Sequence, residues 1–530
     1  MKHTLARLLT GSVLATAVHA AWAAPAAPAA EAPLRFAISR FEVAGNTVLP
    51  NAAVDAAVAP FTGAGRDFGD VQQALEALEA AYHARGYKLV TVELPEQELN
   101  GGVVRLNVVQ TRIGRVAVQG NTVFDEANIR RSLPALVPGR TPDLNRISSN
   151  LKSANENPAK KVTLKLQSAQ DPGEVNALLE VRDEKPWKLM VNLHNGGNAQ
   201  TGETHASLVL QHANLLGRDH VGSIQYTTTL EEPSKISVWG AGYHIPFYGS
   251  GDALDLYASH SDVDSGAVLA GIFNLAISGK GTVVGARYTH VLPKMGRIEP
   301  RVFGGLEVKA YKNSVLLFGQ DFGNDVTVRP FSLGYAGTLA RDAGETSLSV
   351  SYARNIGGGS RGGDADFAGA RAGASASFGA LRAAVSHTHQ FALGWQARLL
   401  LNAQHSNDAL VPGEQFGAGG AASVRGFDER ALSTDSGVLA NAELFSPNFC
   451  PKAGRWSCRV LGFVDAARGT RNMALPGELR STGISSTGLG LRIALGEQIN
   501  AQIDWGHVLD AGATATTDKN KVHFRVGLAY

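Results

Sequence analysis

Three sets of residues in this 530-residue chain have types and spacings that could do chemistry: Arg425 with Asp465, Cys450 with Cys458, and Ser360. Arg425 stands in Val424-Arg425-Gly426-Phe427 at the end of a Gly-rich run over 417–426, and Asp465 closes Phe463-Val464-Asp465. A guanidinium meeting a carboxylate can form two parallel charge-assisted hydrogen bonds, a directional clamp that lysine does not reproduce. Cys450 and Cys458 are the only cysteines. Without further Cys or His ligands nearby they fall short of a zinc set, so in an exported chain they read as one disulfide across a short connection. Ser360 completes a Gly-x-Ser-x-Gly string from Gly358 to Gly362. A nucleophile elbow needs a strand before it and a helix after it, and the flanks here are glycine. The fifteen histidines are scattered, with no His-Glu-x-x-His, and no Gly-x-x-x-x-Gly-Lys-Ser/Thr occurs. The expectation is therefore no catalytic set, no metal and no cofactor.

The elements that must position the charge pair begin with the chain's export. Lys2, His3 and Arg7 precede an apolar stretch over 8–18 and the small-residue site Ala21-Trp22-Ala23. That is the pattern of a secretory signal peptide over 1–23, with a short linker over 24–35. Its removal takes two cations and no acid, so the formal charge goes from +2 to 2 − 2 = 0. Charge thus gives no reason to expect nucleic acid as a partner. Beyond the leader no apolar run is long enough for a membrane helix, and a closed barrel is the other structure that satisfies every backbone group in lipid. Over 521–530, Val522, Phe524, Val526, Leu528 and Tyr530 fall on one face and His523, Arg525, Gly527 and Ala529 on the other. An apolar outer face, a polar or small inner face and a terminal aromatic suit the last strand of an outer-membrane barrel. A soluble sandwich alternates in the same way, so this strand alone does not decide.

An internal repeat divides the exported chain. Phe41-Glu-Val-Ala-Gly45-Asn46-Thr47-Val48 recurs as Val116-Ala-Val-Gln-Gly120-Asn121-Thr122-Val123, each copy a short strand ending in turn residues. In the first copy, helices are expected over 51–59 and 70–85, where Val71, Leu75, Leu78 and Tyr82 keep an apolar face, then strands over 88–94 and 103–110. The second repeats β-α-α-β-β, with helices over 126–133 and 143–154 and strands over 161–167 and 174–181. Two α+β domains result, over 36–110 and 111–184. From Trp187 onward strand follows strand, and 185–530 holds roughly 16 at about 21 residues per strand and connection. Tyr226, Trp239, Tyr243, Tyr257, Tyr311 and Trp505 are candidates for the membrane interfaces.

In this order the motifs resemble the two-partner secretion transporters, the outer-membrane family of the haemolysin activators and the filamentous-haemagglutinin transporter. Two polypeptide-transport-associated (POTRA) repeats are matched over 36–183, with Arg85-Gly86-Tyr87 and Asn155-Glu-Asn-Pro158, and the barrel from Trp187 to Tyr530, with Gly202 and Asn214-Leu-Leu-Gly217. Val424-Arg425-Gly426-Phe427 resembles the tip of the long loop, here around 411–435, that folds into the lumen. Phe463-Val464-Asp465 resembles the wall motif whose acid meets that arginine. Two departures stand out: the family's glycine two residues after the acid is Ala467 here, and the 24–35 linker leaves little room for the helix that plugs the pore in several members.

The resemblance implies an outer-membrane transporter with its POTRA domains in the periplasm of a Gram-negative bacterium. It would recognise an unfolded partner exoprotein, encoded nearby, and export it through the barrel. Its further partners would be outer-membrane lipid and the barrel-assembly machinery, for which Phe524 and Tyr530 carry the terminal signal. Recognition would use β-augmentation on the free edge of each module, nominating Lys88, Val90 and Val92, then Val162, Leu164 and Leu166, with Lys160, Lys161 and Lys165 as the residues that would blunt an ordinary edge. An assembly factor of the same superfamily and a passive porin are the alternatives, the latter leaving the two repeats without a task.

Overall fold

The computed structural model describes residues 34–530, apart from 199–200, 264–266, 271–274, 279, 313–315, 318–319, 322–323 and 452–453. The leader over 1–23 and the reading of the linker, including its lack of a plug helix, fall almost wholly outside the described residues.

In the first module the strand Arg40–Ala44 is followed by helices Asn51–Val58 and Phe68–Ala84 and strands Val90–Glu93 and Val103–Gln110. Val103–Gln110 lies in the middle of the sheet, parallel to Arg40–Ala44 and antiparallel to Val90–Glu93. The long helix buries Val71, Ala74, Leu78 and Tyr82 against it, a stripe three and four residues apart. An additional pairing of Phe36–Ile38 with Gly63–Arg66 has no counterpart in the sequence reading.

The second module repeats the plan with the strand Arg112–Gln119, helices Glu126–Arg131 and Leu144–Ala154, and strands Lys160–Ser168 and Glu174–Asp183. Glu174–Asp183 is central, parallel to Arg112–Gln119 and antiparallel to Lys160–Ser168. Asp125 and Asp143 cap the two helices by accepting backbone N–H groups of the first turn. The repeated glycine has one job in both modules. Gly45 and Gly120 sit at φ +81° and +86°, and a Cβ there would lie 2.5 and 2.6 Å from the carbonyl oxygens of Val108 and Val181 on the central strands. The first strand can leave its sheet at that point only because the side chain is absent.

Beyond the modules the chain forms a closed antiparallel barrel. Its strands are β1 (Trp187–His194), β2 (His205–Leu215), β3 (His220–Thr229), β4 (Ile236–Phe247), β5 (Asp252–Val263), β6 (Lys280–Val291), β7 (Ile298–Lys312) and β8 (Val326–Val328 with Pro330–Arg341). There follow β9 (Gly344–Asn355), β10 (Gly379–Gln390), β11 (Gln396–His405), β12 (Ser436–Phe445), β13 (Trp456–Thr470), β14 (Ser481–Leu495), β15 (Ile499–Asp510) and β16 (Asn520–Ala529). Among the described residues these are 16 strands, and β16 pairs with β1 to close the wall. Leu210, Ile224, Leu306, Leu333 and Leu489 point outward while Gln211, Ser223, Gln225 and Thr227 are buried inside, the period-2 alternation of a wall with lipid on one side. On β16, Val522 and Leu528 face out and His523 faces in. Trp239 and Trp505 are outward, but Tyr257 and Tyr311 are not interfacial aromatics. Both point inward, and their hydroxyls donate to Glu307 at 2.7 Å and Glu414 at 3.0 Å.

The Gly/Ala-rich stretch around Ser360 joins β9 to β10 and is not a plain loop: the helix Asp364–Ala370 seats Phe367 against Phe378, Leu410 and Val411. A strand and a helix do therefore flank Ser360, which is exposed, and no histidine or carboxylate is bonded to its hydroxyl among the described residues.

Candidate functional site

The connection between β11 and β12 turns into the barrel as a hairpin, with Phe416–Ala418 paired antiparallel to Leu432–Thr434. Val424 and Phe427 are fully buried in a cluster with Phe416, Leu432, Leu439, Ala467, Ile484 and Val508, so the hairpin is packed against the inner wall along its length. Ala467, where the family pattern has glycine, contributes its methyl group to that cluster. The root is pinned as well. Glu414, 3% exposed, accepts from Lys309 and Tyr311 at 3.0 Å and from Arg382 at 3.0 Å. Asp435 pairs with Arg371 and accepts from the backbone N–H of Leu410 at 2.8 Å and Asn472 at 2.6 Å.

At the tip, Arg425 Nε and Nη2 donate to Asp465 Oδ2 and Oδ1 at 2.7 and 2.8 Å, a two-pronged pair, and its backbone N–H donates to Oδ2 at 3.1 Å. Nη1 donates to Glu443 Oε1 at 2.8 Å and lies 3.5 Å from Asp504 Oδ1. The guanidinium carbon sits 3.5 Å from the centroid of the Phe463 ring, which covers one face of it. Asn441, opposite Asp465 on β12, donates to Oδ1 at 2.8 Å. Arg398 pairs with Glu443 at 3.0 Å and Arg492 with Asp504 at 2.8 Å, so three cations and three anions interlock. Gly426, at φ +93°, donates its N–H to His523 Nε2 at 3.0 Å. A Cβ on Gly506 of β15 would lie 2.6 Å from that nitrogen, so glycine there lets the tip reach the wall. A polar cavity of about 480 Å³ adjoins this node, lined by Arg398, Ser423, Glu443, Gln502, Asp504 and Arg525 among others.

Of the residues singled out in sequence, the structure brings Arg425, Asp465, Val424, Gly426, Phe427 and Phe463 into one buried node. Glu443, Asp504, Asn441, Arg398, Arg492 and His523 complete it and carried no motif; the one signal available was inward alternation on strands near the Asp465 strand. Cys450 and Cys458 are joined by a disulfide across the β12–β13 connection, with Cα atoms 5.2 Å apart. Phe524 and Tyr530 lie at the closing seam, where Tyr530 and Leu189 exchange backbone hydrogen bonds of 2.8 and 2.9 Å. The nominated edges are edge strands, with two differences. Lys88 precedes its strand in a turn, and Val90, Val92 and Val162 are buried in their module cores, with edge backbone groups already engaged: the Val90 carbonyl with His83 Nε2 at 3.0 Å, the Val92 N–H with Glu79 Oε2 at 3.2 Å, and Val162 with the Asn155 side chain. Lys160 is the larger departure: it does not blunt the edge, because it is buried.

Comparison with known proteins follows the same lines. The model of the haemolysin secretion/activation proteins ShlB/FhaC/HecB matches residues 173–493, and the ShlB-type POTRA model matches residues 36–111. The outer membrane transporter CdiB-2 of Burkholderia pseudomallei (strain 1026b) is 27% identical over 192 residues, 35% of this chain and 32% of that protein. The outer membrane transporter CdiB of Escherichia coli O6:K15:H31 (strain 536 / UPEC) is 25% identical over 456 residues, 82% of this chain and 71% of that protein. The solved structure of CdiB from Escherichia coli superposes with a TM-score of 0.78 at 22% identity, covering 96% of this chain and 93% of that one, which shows a shared fold.

Proposed function

The chain belongs to the haemolysin secretion/activation family of ShlB, FhaC and HecB, outer-membrane transporters of two-partner secretion, and from that premise we propose what its own residues do. The POTRA modules, periplasmic in the family, receive an unfolded exoprotein on their edge strands: Val90–Glu93, where His83 and Glu79 give up their bonds to the Val90 carbonyl and the Val92 N–H, and Lys160–Ser168, open from Leu164, whose backbone N–H and C=O groups accept varied sequence. The barrel is the conduit. The observation that carries this reading is the Arg425 node: a loop is buried inside the barrel and held by a clamp of charges instead of by apolar packing alone. We infer that the tip, held by these charges together with the buried Val424 and Phe427, is a latch that a transiting chain displaces. Phe524 and Tyr530 serve assembly of the barrel, and the disulfide braces the β12–β13 connection.

The test is deletion of the chain followed by measurement of secreted and outer-membrane proteins, with Arg425→Ala alongside. Export predicts that one large exoprotein disappears from the medium while other barrels keep their level, and that Arg425→Ala reproduces the loss with its own barrel present. Depletion of unrelated barrels would instead mark an assembly factor, and unchanged secretion would remove the reading.

A further inference from the structure

Lysines on a free sheet edge ordinarily reach into water and discourage unwanted pairing. Lys160 opens the edge strand Lys160–Ser168, yet its side chain is 0% exposed. Its Nζ donates to Asp219 Oδ2 at 2.6 Å and to Asn128 Oδ1 at 2.9 Å, and lies 5.2 Å from the centroid of the Phe124 ring. Asn128 and Phe124 belong to the second module, but Asp219 belongs to the β2–β3 turn of the barrel. Tyr248, in the β4–β5 turn, donates its hydroxyl to the same Asp219 oxygen at 2.8 Å, and the other oxygen, Oδ1, is buried without a partner. Neutral bonds surround the ion pair: Asn128 Nδ2 to the Gly217 carbonyl at 3.0 Å, Asn150 Nδ2 to the Tyr248 carbonyl at 2.6 Å, and Asn157 Nδ2 to the Ala213 carbonyl at 2.7 Å.

The turn is shaped for this contact. Leu216, Gly217 and Asp219 have φ of +58°, +64° and +63°, and non-glycine residues persist in that region only where their surroundings hold them. A buried ion pair stabilises little beyond a well-packed apolar substitute, because desolvation offsets most of the attraction; a fixed geometry is the use best attested for it. Here it fixes a strand. The far end of the nine-residue strand is roughly 26 Å from Lys160 at strand rise. Asn155 closes the near end by bonding the outward C=O and N–H of Val162 at 3.0 and 2.6 Å. The open part of the edge thus begins at Leu164.

We propose that Lys160 is a positioning residue of transport: its buried pair with Asp219 holds the open edge from Leu164 to Ser168 at a set distance and angle to the barrel, so that an exoprotein strand added there is passed on in one register. The proposal rests on the exporter reading.

Full-length transporter carrying spin labels at Thr163→Cys and Met295→Cys, the latter 62% exposed in the β6–β7 turn, tests it together with secretion in cells. Lys160→Met is expected to reach the membrane at its normal level, to broaden the distance distribution between the labels, and to lower secretion about ten-fold, as removal of one partner of a buried pair leaves a charge uncompensated. The swapped pair, Lys160→Asp with Asp219→Lys, is expected to narrow the distribution and recover secretion. Where Lys160→Met does not reach the membrane, Asp219→Asn, which keeps an acceptor for Tyr248, is read in the same way. An unchanged distribution, or normal secretion across a loosened joint, overturns the proposal. A tight joint in a chain on which no exoprotein depends overturns the exporter reading instead.

Discussion

Arg425 reaches three carboxylates, stacks on Phe463 and sits 3% exposed, so its environment specifies a planar, branched cation and not merely a positive charge. Lysine in its place would keep the charge, lose the two-pronged contact with Asp465 and leave Glu443 or Asp504 short of a partner. Arg425→Lys is therefore expected to keep the barrel in the membrane and lower secretion by about ten-fold, since one lost hydrogen bond to a charged group is worth about 1.5–3 kcal/mol. Secretion measured against barrel level checks it, and full secretion would show that charge alone suffices. Arg425 and Asp465 were legible because each stands in a short motif on its own segment. Glu443, Asp504, Arg398 and Arg492 were not, because which inward charges meet depends on the register of β11 to β15, and that register is set by the closed wall. Lys160 was misread for a related reason: local sequence marks it as an edge lysine, and only the barrel turn carrying Asp219 buries it.

At the scale of elements the two modules were almost fully readable, because Gly45-Asn46 and Gly120-Asn121 mark one crossing over the central strand. Strand ends were less so: 88–94 shortens to Val90–Glu93, since the turn before it ends later than apolar pattern alone implies. The second module adds a device that the repeat does not announce. Asp183, at the end of the central strand, accepts from the backbone N–H groups of Thr122, Val123 and Phe124 at 2.8–3.0 Å and from the Thr122 hydroxyl at 2.7 Å. Burial raises its pKa, but the donors on Phe124, Thr122 and Val123 outweigh that and hold it below 3.8. A carboxyl whose folded pKa is depressed contributes stability that is complete above its unfolded value and is lost as pH falls through the lower folded value. Hydrogen exchange at Thr122–Phe124 in the intact transporter, taken relative to the intrinsic amide rate at each pH, is accordingly expected to stay slow at neutral pH and to accelerate in acid, below the ordinary carboxyl range. Asp183→Asn should accelerate it already at neutral pH, and equal exchange in the two proteins would remove Asp183 from this role.

For the molecule as a whole, strand number followed from chain length divided by the span of a membrane strand, and the wall from short alternating segments such as 521–530. The resemblance named the loop around 411–435 as the one that enters the lumen; what it left open was how the root of that loop is held. The hairpin is fixed at its root by Glu414 and Asp435 and at its tip by Arg425, and beside the tip lies the cavity lined by Gln502. On the proposed route the exoprotein passes that cavity. The most direct measurement is photo-crosslinking of an exoprotein stalled in transit by a tightly folded carboxy-terminal fusion, with the reactive residue placed at Gln502 in the lumen or at Leu489 on the outer face. The account predicts an exoprotein adduct at Gln502 that weakens in Arg425→Ala, and none at Leu489. An adduct at Leu489 without one at Gln502 would contradict passage through the barrel.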